Sequence, residues 1–234
     1  MLEPLPETFL PTREALRTLA CYVIAPARKA RTGRIGLRPT GDGFGTPPFD
    51  DGTRVVVRGH HLVREPGLDI PIATVRAAAE ALGVELSRDP GVGHDLPPLE
   101  PDTPLAVDAE ASYALGRWYA FGDRVLGEQH ETLLSSGRGT ASEIQLWPEH
   151  FDLAFDWGAD ETNRVGLGAS PGDTYQADPY LYASPWVKEA MTAEEHFWNA
   201  PFGAVVPYSD LVSAPDPVAV ARDFYEEAIR RLAL

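Results

Sequence analysis

Proline and glycine divide this chain into short segments, and this feature most limits what it can fold into. Five prolines fall between residues 88 and 104, and a stretch rich in glycine and proline runs from Gly41 to Pro48. Proline lacks a backbone N–H, and glycine loses more conformational freedom on ordering than other residues. We therefore expect short helices and strands, with residues 88–104 as a connector without periodic structure.

Apolar periodicity predicts four helices. The first is expected to follow Thr12, which can cap it, and to end at Pro26. Apolar residues at helical spacing predict a second helix within 72–82, with Gly83 as its C-terminal glycine, and a longer third helix over 107–126. The fourth is an amphipathic terminal helix over 218–232.

The strand predictions come from short apolar runs between turn residues. They cover 34–38, 53–58, 143–157, 163–168, 180–186 and 204–206. Short strands mixed with helices in this order predict an α+β fold with mainly antiparallel strands.

Two short segments, one in each half of the sequence, have similar residues in the same order. Gly33 to Leu37, followed by Gly41, parallels Asn163 to Leu167, followed by Gly172, at an offset of about 130 residues. Matches that recur in the same order indicate an internal duplication, with half-repeats at approximately 12–133 and 141–234. Each half is poor in strands, so we expect the two to form one pseudo-two-fold domain over 1–234.

The balance of charge limits the partners. The chain has 20 Lys and Arg against 35 Asp and Glu, a net charge of −15. A chain this acidic repels a phosphate backbone, so nucleic acid is not an expected partner. The sequence has no apolar run of about 18 residues and no secretory start, so we expect a cytoplasmic protein without a membrane span. The lone Cys21, in an apolar context, is expected to be a packed thiol.

Basic residues concentrate near the start of the chain. Residues 1–88 carry 12 basic and 10 acidic side chains, whereas residues 89–234 carry 8 and 25. The one dense basic cluster consists of Arg28, Lys29, Arg31, Arg34 and Arg38. It either pairs with carboxylates of the acidic second half or forms an anion site.

The segment Leu146-Trp147-Pro148-Glu149-His150-Phe151-Asp152-Leu153-Ala154-Phe155-Asp156 is the most unusual in the chain. If it is a strand beyond Pro148, alternation puts His150, Asp152 and Asp156 on one face and the apolar residues on the other. An imidazole beside two carboxylates can hold a metal ion or perform acid/base chemistry. The same row can equally be a solvated strand face.

A turn further along the chain adds two candidates. Ser170-Pro171-Gly172-Asp173 is a turn by composition, and Tyr175 follows it. A tyrosine beside carboxylates and a histidine suits a small polar ligand. The candidate ligand-binding residues are His150, Asp152, Asp156, Asp173 and Tyr175. The sequence contains no phosphate loop, zinc helix, paired-cysteine motif or nucleophile elbow, so no cofactor and no resident metal are expected.

These same residues carry a resemblance. LWPEHFDLA at 146–154, GASPGD at 168–173, PYLY at 179–182 and VPY at 206–208 resemble the C-terminal half of a bacterial family of unknown function that has a WPxHFD motif. The resemblance covers about 90 residues. It implies a soluble bacterial, actinobacterial-type protein and no particular reaction.

Three functions remain open on the sequence alone. The first is binding of a small polar molecule in a cleft between the two pseudo-repeats. The second is a metal-assisted or acid/base enzyme, hydrolase-like, that uses the same residues. The third is a protein-interaction scaffold, in which the proline-rich loops and the acidic surface serve a partner.

Overall fold

A computed structural model describes residues 2–160, 162–191 and 196–232. It confirms the α+β class with antiparallel strands. The chain forms two compact units. Unit 1 comprises Glu3–Ala120 and Leu146–Phe151, and unit 2 comprises Phe121–Gln145 and the chain from Asp152 onward. No helix among the described residues has the length and apolarity needed to cross a bilayer.

Unit 1 contains a helical run, a sheet and one further short helix. The elements are α1 (Phe9–Leu19), a π-helical segment (Ala20–Ile24), α2 (Ala25–Thr32), β1 (Arg38–Pro39), β2 (Gly43–Gly45), β3 (Arg54–Arg58), β4 (His61–Glu65), β5 (Leu68–Pro71) and α3 (Val75–Leu82). The five strands form an antiparallel sheet in sequence order. The predicted C-terminal glycine of α3 is confirmed, because Gly83 is left-handed, and at the other end the Thr74 side chain accepts from the Ala77 N–H.

Helix α4 (Ala109–Ser135) divides its residues between the two units, and unit 2 follows it. The remaining elements are β6 (Thr140–Ala141), β7 (Gln145–Trp147), β8 (Asp152–Gly158), β9 (Arg164–Ser170), β10 (Tyr180–Pro185), a 3₁₀ turn (Lys188–Ala190), β11 (Ala204–Pro207), α5 (Tyr208–Ser213) and α6 (Pro217–Arg231). The second sheet has the order β11-β10-β9-β8-β6, and its neighbouring strands are antiparallel.

The start and the end of the first helix differ from the prediction. Thr12 lies inside α1, fully buried, and its hydroxyl donates to the carbonyl oxygen of Ala106 (3.3 Å) and accepts from the Asp108 N–H (3.0 Å). Pro26 does not end the helical run. The preceding segment is π-helical, and the wider turn accommodates a proline whose ring would clash with the i−4 carbonyl of a regular α-helix.

Close packing in each unit requires glycine in the middle of α4. A Cβ on Gly116 would lie 2.7 Å from the backbone carbonyl of Asp42, within unit 1. A Cβ on Gly122 would lie 2.9 Å from Cβ of Ala169, within unit 2. Glycine is a poor helix former, but at these two positions it lets the helix approach the neighbouring backbone and strand closely.

The expected equivalence of strands between the two matched segments is not found. Gly36 precedes β1 and lies outside any strand, whereas Gly166 lies in the middle of β9. Only Leu37, bridged to Leu146, and the short β1 represent the predicted strand over 34–38. The internal duplication and the single pseudo-two-fold domain stay predictions.

The basic cluster also differs from the expected pairing at two positions. Arg31 pairs with Asp51, a carboxylate of the first half of the sequence (2.6 Å), and its guanidinium lies over the Phe49 ring. Lys29 donates to the backbone carbonyl oxygens of Pro90 (3.3 Å) and Gly91 (2.7 Å). These two side chains therefore fix local chain segments of unit 1 and not acidic residues of the second half.

We predict opposite effects for two glycine-to-alanine substitutions in unit 2. A Cβ at Gly168 would overlap the Tyr182 ring, so Gly168→Ala should lower the free energy of unfolding by about 1–3 kcal/mol. Gly127, inside α4, has open space where its Cβ would stand, so Gly127→Ala should raise it by about 0.5–1 kcal/mol. Urea unfolding measures both. Equal changes in the two variants would show that the packing at Gly168 is not tight.

Candidate ligand-binding site

The WPEHFD segment is not the continuous strand that its alternation predicts. Residues 148–151 form a turn between β7 and β8, closed by the Phe151 N–H donating to the Trp147 carbonyl oxygen (2.7 Å). Phe151 has a φ of 59°, a conformation that is rare for a bulky residue. Proline cannot donate to a strand ladder, and Pro148 stands at the start of this turn.

Packing explains why Phe151 holds the left-handed conformation. Its ring is buried and makes edge contacts with Phe44 and Tyr119, and the Tyr119 hydroxyl donates to its carbonyl oxygen (2.6 Å). Such strain persists only where the surroundings fix the residue. The turn is therefore a defined part of unit 1.

This turn separates the predicted site residues. His150 is exposed in the turn of unit 1, while Asp152 is 7% exposed at the start of β8 in unit 2. The expectation that His150 and Asp152 project from one strand is wrong, because the chain turns between them. The predicted burial of Phe151 and Leu153 is confirmed.

Two of the predicted carboxylates bind tyrosine hydroxyls in unit 2. Tyr182 donates its hydroxyl to Asp152, and Tyr180 donates to Asp173 (2.6 Å). Burial, and then the Asp152 charge, raise the pKa of Tyr182 well above its usual range. Burial, and then the hydrogen bond to Asp173, raise the pKa of Tyr180 in the same direction. Both phenols therefore stay protonated and act as donors.

Asp173 and Tyr175, two of the predicted site residues, lie close together in the turn that follows β9. One Asp173 oxygen accepts the N–H groups of Tyr175 (2.8 Å) and Gln176 (3.2 Å), which closes the turn. The Tyr175 ring, 43% exposed, makes edge contacts with Tyr180 and Phe202 at centroid distances of 5.9 and 5.1 Å. Rings this close leave no room for a ligand between them, so this cluster is a packed hydrogen-bonded network.

Asp156 is also engaged by its neighbours. The indole N–H of Trp186 donates to its carboxylate (2.9 Å), and the Trp186 ring, 56% exposed, lies beside the Arg164 guanidinium. Among the described residues, no three His, Cys, Asp or Glu side chains form a group that could hold a metal ion.

The structure presents a different candidate in unit 1. The 25 residues from Val84 to Asp108, here called the connector, belong to no helix or strand. Connections longer than about 12–15 residues without secondary structure are uncommon in compact proteins, and they are usually either functional loops or flexible linkers. The sequence predicts the irregular structure of this segment from its prolines but gives no indication of a site there.

Three side chains of the first helical run fix the connector through its carbonyl oxygens. Lys29 binds those of Pro90 and Gly91, as described above. Arg17 donates to the carbonyl oxygen of Asp95 (2.9 Å), and the Tyr22 hydroxyl donates to that of Pro97 (2.6 Å). An irregular loop is thereby held in one conformation.

A surface cavity of about 830 Å³ lies between the connector and Tyr22. This volume is within the range of about 300–1,000 Å³ found for small-molecule sites. Its lining combines polar and apolar side chains, among them Tyr22, Arg88, His94, Asp95, Leu96 and Pro97. Gly91, Gly93 and Asp95 all have positive φ, so the loop takes a path that few residue types allow.

The turn closed by the hydrogen bond from Phe151 to Trp147, here called the WPEH turn, contacts the same region. Arg17 also donates to the carbonyl oxygen of Glu149 (2.8 Å), and the Cys21 thiol donates to that of Pro148 (3.0 Å). The Glu149 side chain packs against Gly93, where a Cβ would come within 2.6 Å of its carboxyl carbon. One buried Glu149 carboxylate oxygen, Oε2, has no hydrogen-bond partner in the described part of the chain.

Cys21 is a packed thiol, as the sequence predicts. It is fully buried in the π-helical segment. Burial raises the pKa of the Cys21 thiol to about 12, while the Arg17 charge lowers it and the Glu149 charge raises it by smaller amounts. The π-helical segment carries Tyr22, which lines the cavity, and such segments are frequent at functional sites.

Comparison with family models, curated proteins and solved structures gives no match to this chain. The resemblance to a bacterial family with a WPxHFD motif stays a prediction.

We predict that Cys21 makes stability fall at alkaline pH. Its folded pKa is about 12 and its usual value is 9.0, so the unfolded thiol ionises first and stability is lost as pH rises from about 9 toward 12. The slope attributable to Cys21 should approach about 1.4 kcal/mol per pH unit. Urea unfolding of wild type and Cys21→Ala between pH 8 and 10 measures it. Parallel curves would contradict the prediction, whatever constant packing loss the variant shows.

We predict that Lys29 restrains the connector. Lys29→Met keeps the aliphatic stem but loses both hydrogen bonds to the connector, so cleavage by thermolysin within residues 88–99 should become faster. The free energy of unfolding should change by about 1 kcal/mol or less. Lys188→Met, at an exposed position of unit 2, is the matched control. Equal cleavage of the two variants would show that the Lys29 bonds do not hold the loop.

Proposed function

We propose that this protein binds a small polar molecule in the cavity between the connector and Tyr22. The observation that carries the proposal is a cavity of about 830 Å³ whose wall is an irregular loop fixed by side-chain hydrogen bonds. A loop that is already ordered loses little entropy when a ligand binds. The arrangement therefore supports binding better than a mobile loop of the same composition would.

The tyrosine–carboxylate network of unit 2 is a weaker candidate for the binding site than the connector cavity. The Asp152 and Asp173 carboxylates already accept tyrosine hydroxyls, and the rings around them are in mutual contact. A ligand would have to displace these partners. In the connector cavity, by contrast, the exposed side chains of Arg88 and His94 make no hydrogen bond or ion pair with any described residue.

The proposal predicts that a bulky residue at position 94 blocks binding. His94 is exposed and lines the cavity, so His94→Trp should fill space without disturbing the fold. A compound that raises the melting temperature of the wild type at 100 times its Kd adds about 2.7 kcal/mol of stability. That shift should disappear in His94→Trp.

The matched control is His150→Trp, which places the same ring at an exposed histidine outside the cavity lining. It should keep the full shift. A screen of metabolites in which no compound stabilises the wild type, or in which the shift survives in His94→Trp, contradicts the proposal. Loss of the shift in His150→Trp alone would move the site to the WPEH turn.

A further inference from the structure

We infer that the ligand of the connector cavity is a zwitterion with an apolar side chain, such as an apolar α-amino acid or a short peptide. This inference rests on the proposed function and specifies its ligand. It follows from three features of the cavity: backbone N–H groups without an acceptor among the described residues, charged side chains of both signs, and an apolar wall.

The donors come from the connector backbone. The N–H groups of Gly93, His94, Asp95 and Leu96 donate to no acceptor within the described residues. In a trans peptide the N–H of one residue points opposite to the carbonyl of the residue before it. Because Arg17 holds the Asp95 carbonyl oxygen, the Leu96 N–H points away from Arg17. Successive backbone N–H groups in turn conformations can form a concave site for an anionic group, and we assign this role to these four.

Charged side chains of both signs lie at the same cavity. Arg88 and Lys29 supply two positive charges; Arg88 lines the cavity, and the Lys29 ammonium contacts the lining residue Gly91. Asp89 and Asp95 supply two negative charges. One Asp89 oxygen accepts the Gly91 N–H (3.0 Å), while the Asp95 carboxylate has no hydrogen bond or ion pair in the described part of the chain.

The presence of two positive and two negative side chains at the cavity favours a zwitterion over a simple anion or a simple cation. A simple anion would lie near the Asp89 and Asp95 carboxylates, and a simple cation would lie near Arg88 and Lys29, so each would face two charges of its own sign. A ligand with one carboxylate and one ammonium satisfies both signs. Carboxylates that accept from a guanidinium and from backbone N–H groups form strong, charge-assisted bonds.

The apolar wall of the cavity favours a zwitterion that has an apolar side chain over one that has none. Leu96, Pro97, Pro98, Leu99 and the Tyr22 ring line the cavity. Burial of apolar area is favourable by roughly 25 cal/mol per Å². An aliphatic or aromatic side chain should therefore bind better than glycine.

The experiment compares L-leucine with two analogues that each lack one charge: isopentylamine, without the carboxylate, and 4-methylpentanoate, without the ammonium. L-phenylalanine with its corresponding amine and acid forms a second series. Titration calorimetry with the full chain should give a Kd for the amino acid at least tenfold lower than for either analogue. Equal affinity for the amino acid and one analogue would overturn the inference.

Two variants assign each charge of the ligand to its side chain. Arg88→Gln should weaken L-leucine at least tenfold and leave isopentylamine unchanged. Asp95→Asn should weaken L-leucine at least tenfold and leave 4-methylpentanoate unchanged; asparagine tolerates the φ of 53° at this position. The controls are Arg138→Gln and Asp50→Asn, exposed residues outside the cavity lining, which should bind like the wild type.

The outcomes separate the inference from the proposed function. If no amino acid binds, but another compound stabilises the wild type and loses its effect in His94→Trp, the ligand class is wrong and the cavity is still the site. If L-leucine binds equally well to His94→Trp, or to both charge variants, it binds elsewhere and the inference is overturned.

Discussion

A chain segment of 25 residues without secondary structure leaves its carbonyl oxygens without the partners that a helix or a sheet supplies. In unit 1, Arg17, Tyr22 and Lys29 donate from one helical run to four of these oxygens, those of Pro90, Gly91, Asp95 and Pro97. The bonds from Arg17 and Lys29 lie at exposed positions where water could also donate, so their effect is to hold the loop in one path and not to satisfy a buried polar group. The conformation of the connector, and the cavity beside it, depend on these three side chains.

The π-helical segment determines where some of these donors point. A π-helix has more residues per turn than an α-helix, so it changes the angular positions of the side chains that follow it relative to those before it. The segment lies between Arg17 and Lys29 and contains Tyr22 and Cys21. It also allows Pro26 to stand inside the helical run. One irregular turn thus preserves the helix and directs its side chains toward the connector and the WPEH turn.

In unit 2, tyrosine hydroxyls provide the donors. Tyr182 and Tyr180 donate to Asp152 and Asp173, and Tyr225 donates to the carbonyl oxygen of Gly168 (2.9 Å). Gly168 lies against the Tyr182 ring, so a small residue in β9 and a large one in β10 fit together. A carboxylate on a half-buried strand is stable when a protonated phenol faces it. The carboxylates of Asp152, Asp156 and Asp173 each accept a side-chain donor within unit 2, and their predicted role in ligand binding stays a prediction.

Local sequence patterns determined the α+β class and most element positions of this protein. The strands near 54, 164, 180 and 204 and the helices that end at Gly83 and Arg231 follow from alternation, periodicity and caps, because these signals act over a few residues. Tertiary structure alone decided the turn at 148–151 and the burial of Asp152. Phe44 and Tyr119 fix Phe151 from distant parts of the chain, and a local sequence pattern cannot predict such contacts. The cavity has the same origin, since its wall is held by side chains more than 60 residues away in sequence.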